Sequence, residues 1–540
     1  MYAIMYIQYI KSKYKDKVYT SILLAESYRE GGKMKRRIIA NLTYWPKDLV
    51  ENLQKLLRGG KVINVEELPL KQGKSFGALY VLHQLSQRLG IDQALGKGRE
   101  GSLALLQIYA RLITQGSSLY IANEWAKNEA IEEILRLSNF NEDTLYENLE
   151  WLADHQLEIE KELFKKIKKK AKTVYLYDVT SSYFEGTKNE LAAYGYNRDK
   201  KKGKKQIVIG LLCNEDGEPV SVEVFEGNTS DIKTVRDQLD KLRNDFGVEL
   251  VTFVGDKGML KKEQLKDITE LQWHYITSIT KEQIRTLLKQ RIIQMEFFED
   301  ELMEVMVEGQ RYILRRNAIR ANEIQRNREG KIDEIRTKIE EQNAFLAAHS
   351  RAKVSIAAKN IEKLIDKKKL KSLLSIRARE EKRFLELLVD EKNLEQEKEL
   401  DGCYVIKTDL RATDASKEIV HERYKDLSLV ESTFRTFKTG LEEIRPIHVR
   451  KEKRTRGHVF VCMLAYKILF HIWQYFKEDL VREGKYGSRF TQQYILECLD
   501  KINYIEYQFN DRTVKQLPKI LSEDQQYILD KLKIKLPYNL

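Results

Sequence analysis

Three carboxylates and a series of cations stand out for where they sit. Asp178 lies inside VYLYDVTSSYFEG (174–186), a run of β-branched and aromatic residues bounded by a glycine. A charge in so apolar a strand is costly unless something compensates it. Asp256 ends a second such run, ELVTFVGDKG (249–258), and strand ends are where α/β sheets set functional groups. The two are 256 − 178 = 78 residues apart, so each belongs to its own strand. On neighbouring strands they can share a cation, and a hard divalent ion such as Mg²⁺ takes a few carboxylates plus substrate phosphate oxygens. Glu431 falls in YKDLSLVESTFRTFK (424–438), which is helical by pattern. Glu431, Arg435 and Lys438 stand at i, i+4 and i+7, and Tyr424 lies seven residues ahead, so one helical stripe carries all four. An ordinary surface Glu–Arg pair has the same spacing, so the stripe alone decides nothing.

The elements that must position these groups are readable as patterns. Two strand-like runs flank Gly31-Gly32, which predicts a β-hairpin whose second arm carries Lys33, Lys35, Arg36 and Arg37. A basic arm suits DNA and equally suits a solvated edge strand. Residues 75–170 have apolar positions at spacings of three and four and read as a helical bundle. From 174 the pattern turns to strands at 174–184, 206–213 and 219–227. Helix 231–247, strand 249–258, helix 261–271 and strand 273–279 follow. Three antiparallel strands and then alternating helix and strand predict a mixed α/β sheet. Ser230 or Asp231 fits as the cap of the first of these helices.

Beyond 280 this order breaks. A hairpin is predicted over 297–317, a charged helical pair over 318–385, and strands in KRFLELLVDEKN and DGCYVIKTDL. A helix then runs from about Ala415 to Thr439. The gap from Asp256 to Glu431 is 431 − 256 = 175 residues, far more than one strand and a connection need, so 281–400 reads as an inserted domain. Val459–Trp473 is apolar but short and contains Lys467 and His471, which suits a buried helix and not a membrane span. Trp273 and Trp473 read as core, and residues 480–540 read as helical.

A chain of 540 residues exceeds one core. Its net charge of +13 suits a polyanionic partner and equally a lysine-rich surface. Cys213, Cys403, Cys462 and Cys498 form no CxxC pair and no zinc spacing, so they read as reduced thiols of a cytoplasmic protein. The N-terminus MYAIMYIQYIKSKYKDK lacks the basic start and cleavage site of a signal peptide. Two basic clusters suit phosphates. The first spans Arg198 to Lys205 and includes Lys204, with a solvated loop as the plain alternative. The second holds Arg450, Lys451, Lys453, Arg454 and Arg456, with His458 just after it.

Asp178 in YDVTSSYFEG, Asp256 in FVGDKGM and the spacing Tyr424-x6-Glu431-x6-Lys438 together resemble DDE transposases. More narrowly they resemble the insertion-sequence-4 superfamily, in its insertion-sequence-1634 branch. YGYNRDKKKGKKQIVIGLL, FEGNTSDIKTV and HVRKEKRTRGHVFVCMLAYKI carry the same likeness, which spans about 170–475. The resemblance implies an α/β fold with an RNase H-like (retroviral-integrase-like) catalytic core and an inserted domain. A small β-hairpin region (1–65) and a helical domain (66–170) for DNA binding or dimerisation precede that core. The core would then comprise 171–280 and 401–480, the insertion 281–400, and a C-terminal helical region 481–540.

The resemblance further implies metal-dependent strand cleavage and transfer on double-stranded DNA, at the inverted-repeat ends of the element and in target DNA. Asp178, Asp256 and Glu431 would be catalytic and would hold two Mg²⁺ ions, with Mn²⁺ as a substitute, roughly 3.5–4 Å apart on substrate. Tyr424, Arg435 and Lys438 would contact DNA at the site; Arg198, Lys204, Lys205, Arg450, Arg454, Arg456 and His458 would contact it around the site. A homodimer on paired ends and a cut-and-paste route, nucleoid-associated in a bacterium, complete the expectation. One departure stands out: the superfamily places an arginine where this chain has Leu427, and Arg435 is the candidate stand-in. A nuclease without strand transfer, or an inactive DNA-binding protein, would use the same fold; the intact carboxylates speak against the second.

Overall fold

The computed structural model describes residues 4–540 apart from 15–16, 61–69, 169–173, 197, 199–200, 202, 440–443, 446, 483–489, 510–511 and 538–539. The chain divides into two compact units, Met1–Gly73 with Asn503–Ile520 and Pro537–Leu540, and Lys74–Ile502 with Leu521–Leu536.

In the first unit the predicted hairpin is β2 (Lys17–Glu30) and β3 (Lys33–Asn41), reversing at Gly31 and Gly32 with φ of 57° and 83°. Positive φ is what glycine supplies at low cost. The hairpin is extended to a three-stranded sheet by β1 (Ile4–Tyr14), paired antiparallel to β2 from Ile4–Ser27 to Tyr14–Lys17. Helix α1 (Lys47–Leu57) lays Val50 against Ile7 and Leu42. Arg37 and Lys35 of the basic arm pair with Glu26 and Glu30. A second sheet joins β4 (Leu70–Ser75) to Asn503–Phe509 and Arg512–Gln516. The tail read as helical therefore holds strands: Asn503–Phe509 pairs antiparallel with Arg512–Gln516 on one side and lies beside β4, from the other end of the chain, on the other.

The second unit begins with helices α2 (Gly77–Leu89), α3 (Ile91–Leu95), α4 (Arg99–Ile113), α5 (Ser118–Asn123), α6 (Ile131–Leu135) and α7 (Glu142–Lys168). Its centre is a sheet, eight-stranded among the described residues. In chain order the strands are β5 (Val174–Tyr183), β6 (Gln206–Asn214), β7 (Pro219–Glu226), β8 (Thr252–Val254), β9 (His274–Ser278), β10 (Met303–Val307) and β11 (Gln310–Arg316), with β14 (Cys403–Thr408) later. Helices α8 (Asp231–Asp240), α9 (Lys262–Glu270) and α10 (Lys281–Lys289) connect the middle strands. The spatial order is β10-β11-β14-β9-β8-β5-β6-β7, and β8 runs parallel to both β5 and β9. On β5, Tyr175, Tyr177 and Val179 enter an apolar cluster with Val235 and Leu239 of α8 and Ile268 of α9. Side chains alternate along a strand, so Asp178 and Thr180 turn to the opposite face.

The hairpin of β10 and β11, expected within the insertion, is paired into this sheet: β11 lies antiparallel to β14 from Arg311–Thr408 to Arg316–Cys403. The inserted body follows Arg316. Helix α11 (Ala318–Ala348), capped by the Asn317 side chain, packs on α12 (Val354–Lys367). The strand expected in KRFLELLVDEKN is β13 (Phe384–Val389); it forms a hairpin with β12 (Leu374–Arg379), where helix was expected, and α13 (Glu391–Glu399) leads back to β14. The body has its own core around Ile335, Ile339, Leu346, Ile361, Ile365 and Leu385.

The expected helix over 415–439 is two, α14 (Lys417–Lys425) and α15 (Leu427–Thr439), parted at Asp426. Ser416 caps α14 by accepting from the Ile419 N–H. Helix α16 (Glu452–Arg482) is followed by α17 (Gln492–Asp500) and α18 (Glu523–Leu532). Its stretch Glu452–Asp479 is, among the described residues, the one helix long and apolar enough to cross a membrane, and most of it is buried against the rest of the fold. The four cysteines are buried and unbridged.

Lys467, buried in α16, donates to the Glu218 carboxylate and to the Pro219 carbonyl, and His471 lies 3.1 Å from the same carboxylate. Burial pushes the Glu218 carboxyl up, but Lys467 and His471 outweigh it and hold the group at about 2. A carboxylate depressed in the fold stabilises fully above its ordinary 4.5, and that contribution is lost as pH falls through the folded value. Urea midpoints followed from about pH 6 to about pH 2.5 should therefore drop more steeply for wild type than for Glu218→Gln. Equal slopes would remove Glu218 from the acid response.

Candidate active site

Register explains how the carboxylates meet. On β5 and β8 Leu176 is level with Val254, and on β8 and β9 Val254 is level with Ile276. Two residues further along the three strands stand Asp178, Asp256 and Ser278, in one row. Strand β8 ends at Val254, but the Gly255 N–H still bonds the Ile276 carbonyl at 3.2 Å, which keeps the chain in line as it delivers Asp256. Neighbouring strands are about 4.8 Å apart, so the row is compact. Helix α15 packs on β5. Asp178, Asp256 and Glu431 consequently line one cavity of about 850 Å³ with Arg198, Tyr424 and Arg435.

The charges in this cavity are strongly coupled. Burial pushes the Asp178 carboxyl up. The Val179 N–H and the Arg198 guanidinium pull it back, Glu431 and Asp256 push it up again, and it settles at about 7. Burial likewise raises the Tyr424 hydroxyl to about 12, so it remains a donor. It donates to Ser278 Oγ at 2.7 Å and lies 3.4 Å from Asp256 Oδ1. Arg198 pairs with Asp231, a further carboxylate of the same cavity. Asp231 thus serves Arg198, and Ser230 takes the cap position of α8 without a side-chain bond to the helix.

The donors suit a hard divalent cation in kind. They are oxygen donors, and a half-buried carboxylate such as Asp178, crowded by like charges, is relieved by positive charge. Among the described residues, no three His, Cys, Asp or Glu side chains are drawn close enough to hold an ion in this conformation.

The other anticipated DNA contacts divide. Leu427 lines the cavity where an arginine was expected, and Arg435 reaches the same cavity. The Lys438 side chain lies outside the described residues, as do Lys200 and Lys202. Lys204 pairs with Glu185, and Lys205 sits 5.9 Å over the Tyr194 ring. The second basic cluster faces α7: Lys451 and Arg454 pair with Glu150, and Lys453 with Asp154. Arg456 pairs with Glu452 and approaches Glu223. Arg450 is exposed beside a separate cavity of about 520 Å³, with Lys188, Arg445 and His448. His458 does not reach a phosphate site. Its Nε2 bonds the Ile444 carbonyl at 2.9 Å, and burial lowers the imidazole to about 3, so it is a neutral structural group.

Sequence reading passed over Ser278, Asn317 and Tyr404. Asn317 and Tyr404 line the cavity, and the Tyr404 hydroxyl pairs with His421 on α14. Ser278 carried no signal, because WHYITSI reads as an ordinary strand until its neighbours are known.

Comparison with known proteins gives two family matches. The family described as "Transposase DDE domain" matches residues 169–468. The "IS1634 family transposase, N-terminal domain" matches residues 7–65. Among proteins of curated function, none matches the chain. A similar solved structure is a cryo-EM structure of piggyBac transposase, a synaptic complex with hairpin DNA. It is 8% identical over 81% of this chain and 86% of that one, with a TM-score of 0.32, too slight a likeness to carry an argument.

Proposed function

The chain belongs to the DDE transposases, and from that premise we propose that it cuts DNA at the inverted-repeat ends of its own insertion sequence and joins those ends to a target. The observation that carries the reading is Asp178 on β5 level with Asp256 just past the end of the adjacent parallel strand β8, with Glu431 on the same cavity. In this reading the sheet is an RNase H-like core, the three carboxylates are the catalytic set, and two chains act on paired ends.

Asp178, Asp256 and Glu431 would hold Mg²⁺, two ions per site. Divalent ions bound there would activate the attacking hydroxyl and stabilise the leaving oxygen. The chain's own part is positional. The sheet sets two carboxylates at one level, and α15 brings the third across the cavity. Arg435 and Arg198 offer positive charge at its walls for phosphate oxygens, which displacement at phosphorus needs more than covalent catalysis. Tyr424 spans from α14 to the strand row.

The test is excision in cells. A plasmid carries a marker between the gene's native flanking DNA, and the protein is supplied separately. Loss of the marker with rejoined or reinserted ends is expected. Cut ends that are never joined would replace the proposal with a nuclease. No cutting at all would remove the activity from this chain.

A further inference from the structure

Tyr424 has one hydroxyl proton and two acceptors within reach. The nearer is Ser278 Oγ at 2.7 Å; the further is Asp256 Oδ1 at 3.4 Å, the length of a weak bond at best. Ser278 is 9% exposed, closes β9, and stands in the strand row beside Asp256. It therefore draws the tyrosine proton away from a carboxylate that needs its lone pairs for a cation.

Resting on the reading above, we propose that Ser278 is a positioning residue of the site: by accepting from Tyr424 it leaves Asp256 free to bind a divalent cation. Without the serine hydroxyl, the tyrosine proton turns to Asp256 and competes with the metal. The tyrosine is then harmful only because the serine is missing. That dependence separates the proposal from a merely structural role, in which removing a second side chain would make matters worse.

The measurement is Mn²⁺ binding to the full-length chain without DNA, read from the loss of the free Mn²⁺ electron paramagnetic resonance signal. Ser278→Ala is expected to weaken binding about 10-fold, the scale on which partners of metal ligands act. Ser278→Thr, which keeps the hydroxyl, should bind like wild type. Ser278→Ala combined with Tyr424→Phe should recover most of the loss. Binding by Ser278→Ala within about twofold of wild type, or a double variant as weak as the single, overturns the proposal. Asp178→Asn marks the other failure: if wild type binds Mn²⁺ no more tightly than Asp178→Asn, the metal reading falls and the role of Ser278 falls with it.

Discussion

Asp178→Asn is expected to abolish DNA cleavage and to leave the protein at least as stable as before. Loss of an outer partner of a metal site costs about 10- to 100-fold, and loss of a ligand should exceed that range. The stability follows from the same geometry. Asp178 is half-buried beside Asp256 and Glu431, and its carboxyl is raised to about 7. A carboxyl raised in the fold destabilises the metal-free protein as pH rises from the ordinary 3.8 through the folded value. The neutral amide removes that penalty, so the variant should be more stable than wild type at about pH 8, by roughly 1–3 kcal/mol, with the gap narrowing as pH falls and closing only below the ordinary 3.8. End-DNA binding should persist, because in the proposed reading the carboxylate serves a cation and not the DNA. Retained cleavage in Mg²⁺ would sink the ligand role. A lower melting point at pH 8 would sink the electrostatic account.

Glu304→Ala should be the most damaging single change far from the cavity. Arg311 is 1% exposed, and Glu304 meets it with two oxygens at 2.6 and 3.1 Å. Arg311 also donates to the carbonyls of Leu410 and Ala415 at 2.8 and 2.9 Å. Removing the carboxylate strands a buried guanidinium, at a cost of about 3–5 kcal/mol. Adding Arg311→Met should restore a good part of this, since it removes the stranded charge. Denaturant unfolding of the two singles and the double measures the coupling, and a Glu304→Ala cost below about 1 kcal/mol would refute it. The effect should also reach function, because Arg311 holds the segment just ahead of the Ser416 cap of α14, the helix that carries Tyr424.

What the sequence disclosed and what it hid follow the range of the forces involved. Alternation along β5 and the apolar run before Asp256 are local, and they place Asp178 on a strand and Asp256 just past the end of one. Helical spacing put Glu431 on a helix beside Arg435, but only the family resemblance singled it out from an ordinary ion pair. The break at Asp426 was not readable, because a single turn residue leaves the apolar pattern unchanged. The partners of the basic cluster were invisible: Glu150 and Asp154 lie on α7, some 300 residues earlier. His458 looked available to phosphate because the Ile444 carbonyl that holds it belongs to another segment. Ser278 was hidden for the same reason, since its meaning lies in register across strands. The β10–β11 hairpin was correctly read as a hairpin, but nothing local says which sheet a hairpin joins.

Arg316 and Cys403 face each other across β11 and β14, although 403 − 316 = 87 residues separate them. The intervening chain has its own apolar core. Pairing two strands across a slack loop of that length would carry a substantial entropic cost of closure and a slow search. A body that condenses first and holds its two ends side by side turns that search into a local one. In folding terms the insertion is a clasp: with its body formed, β14 is held beside β11 at a lower cost of closure, and α14 and α15 run on from it over the carboxylates.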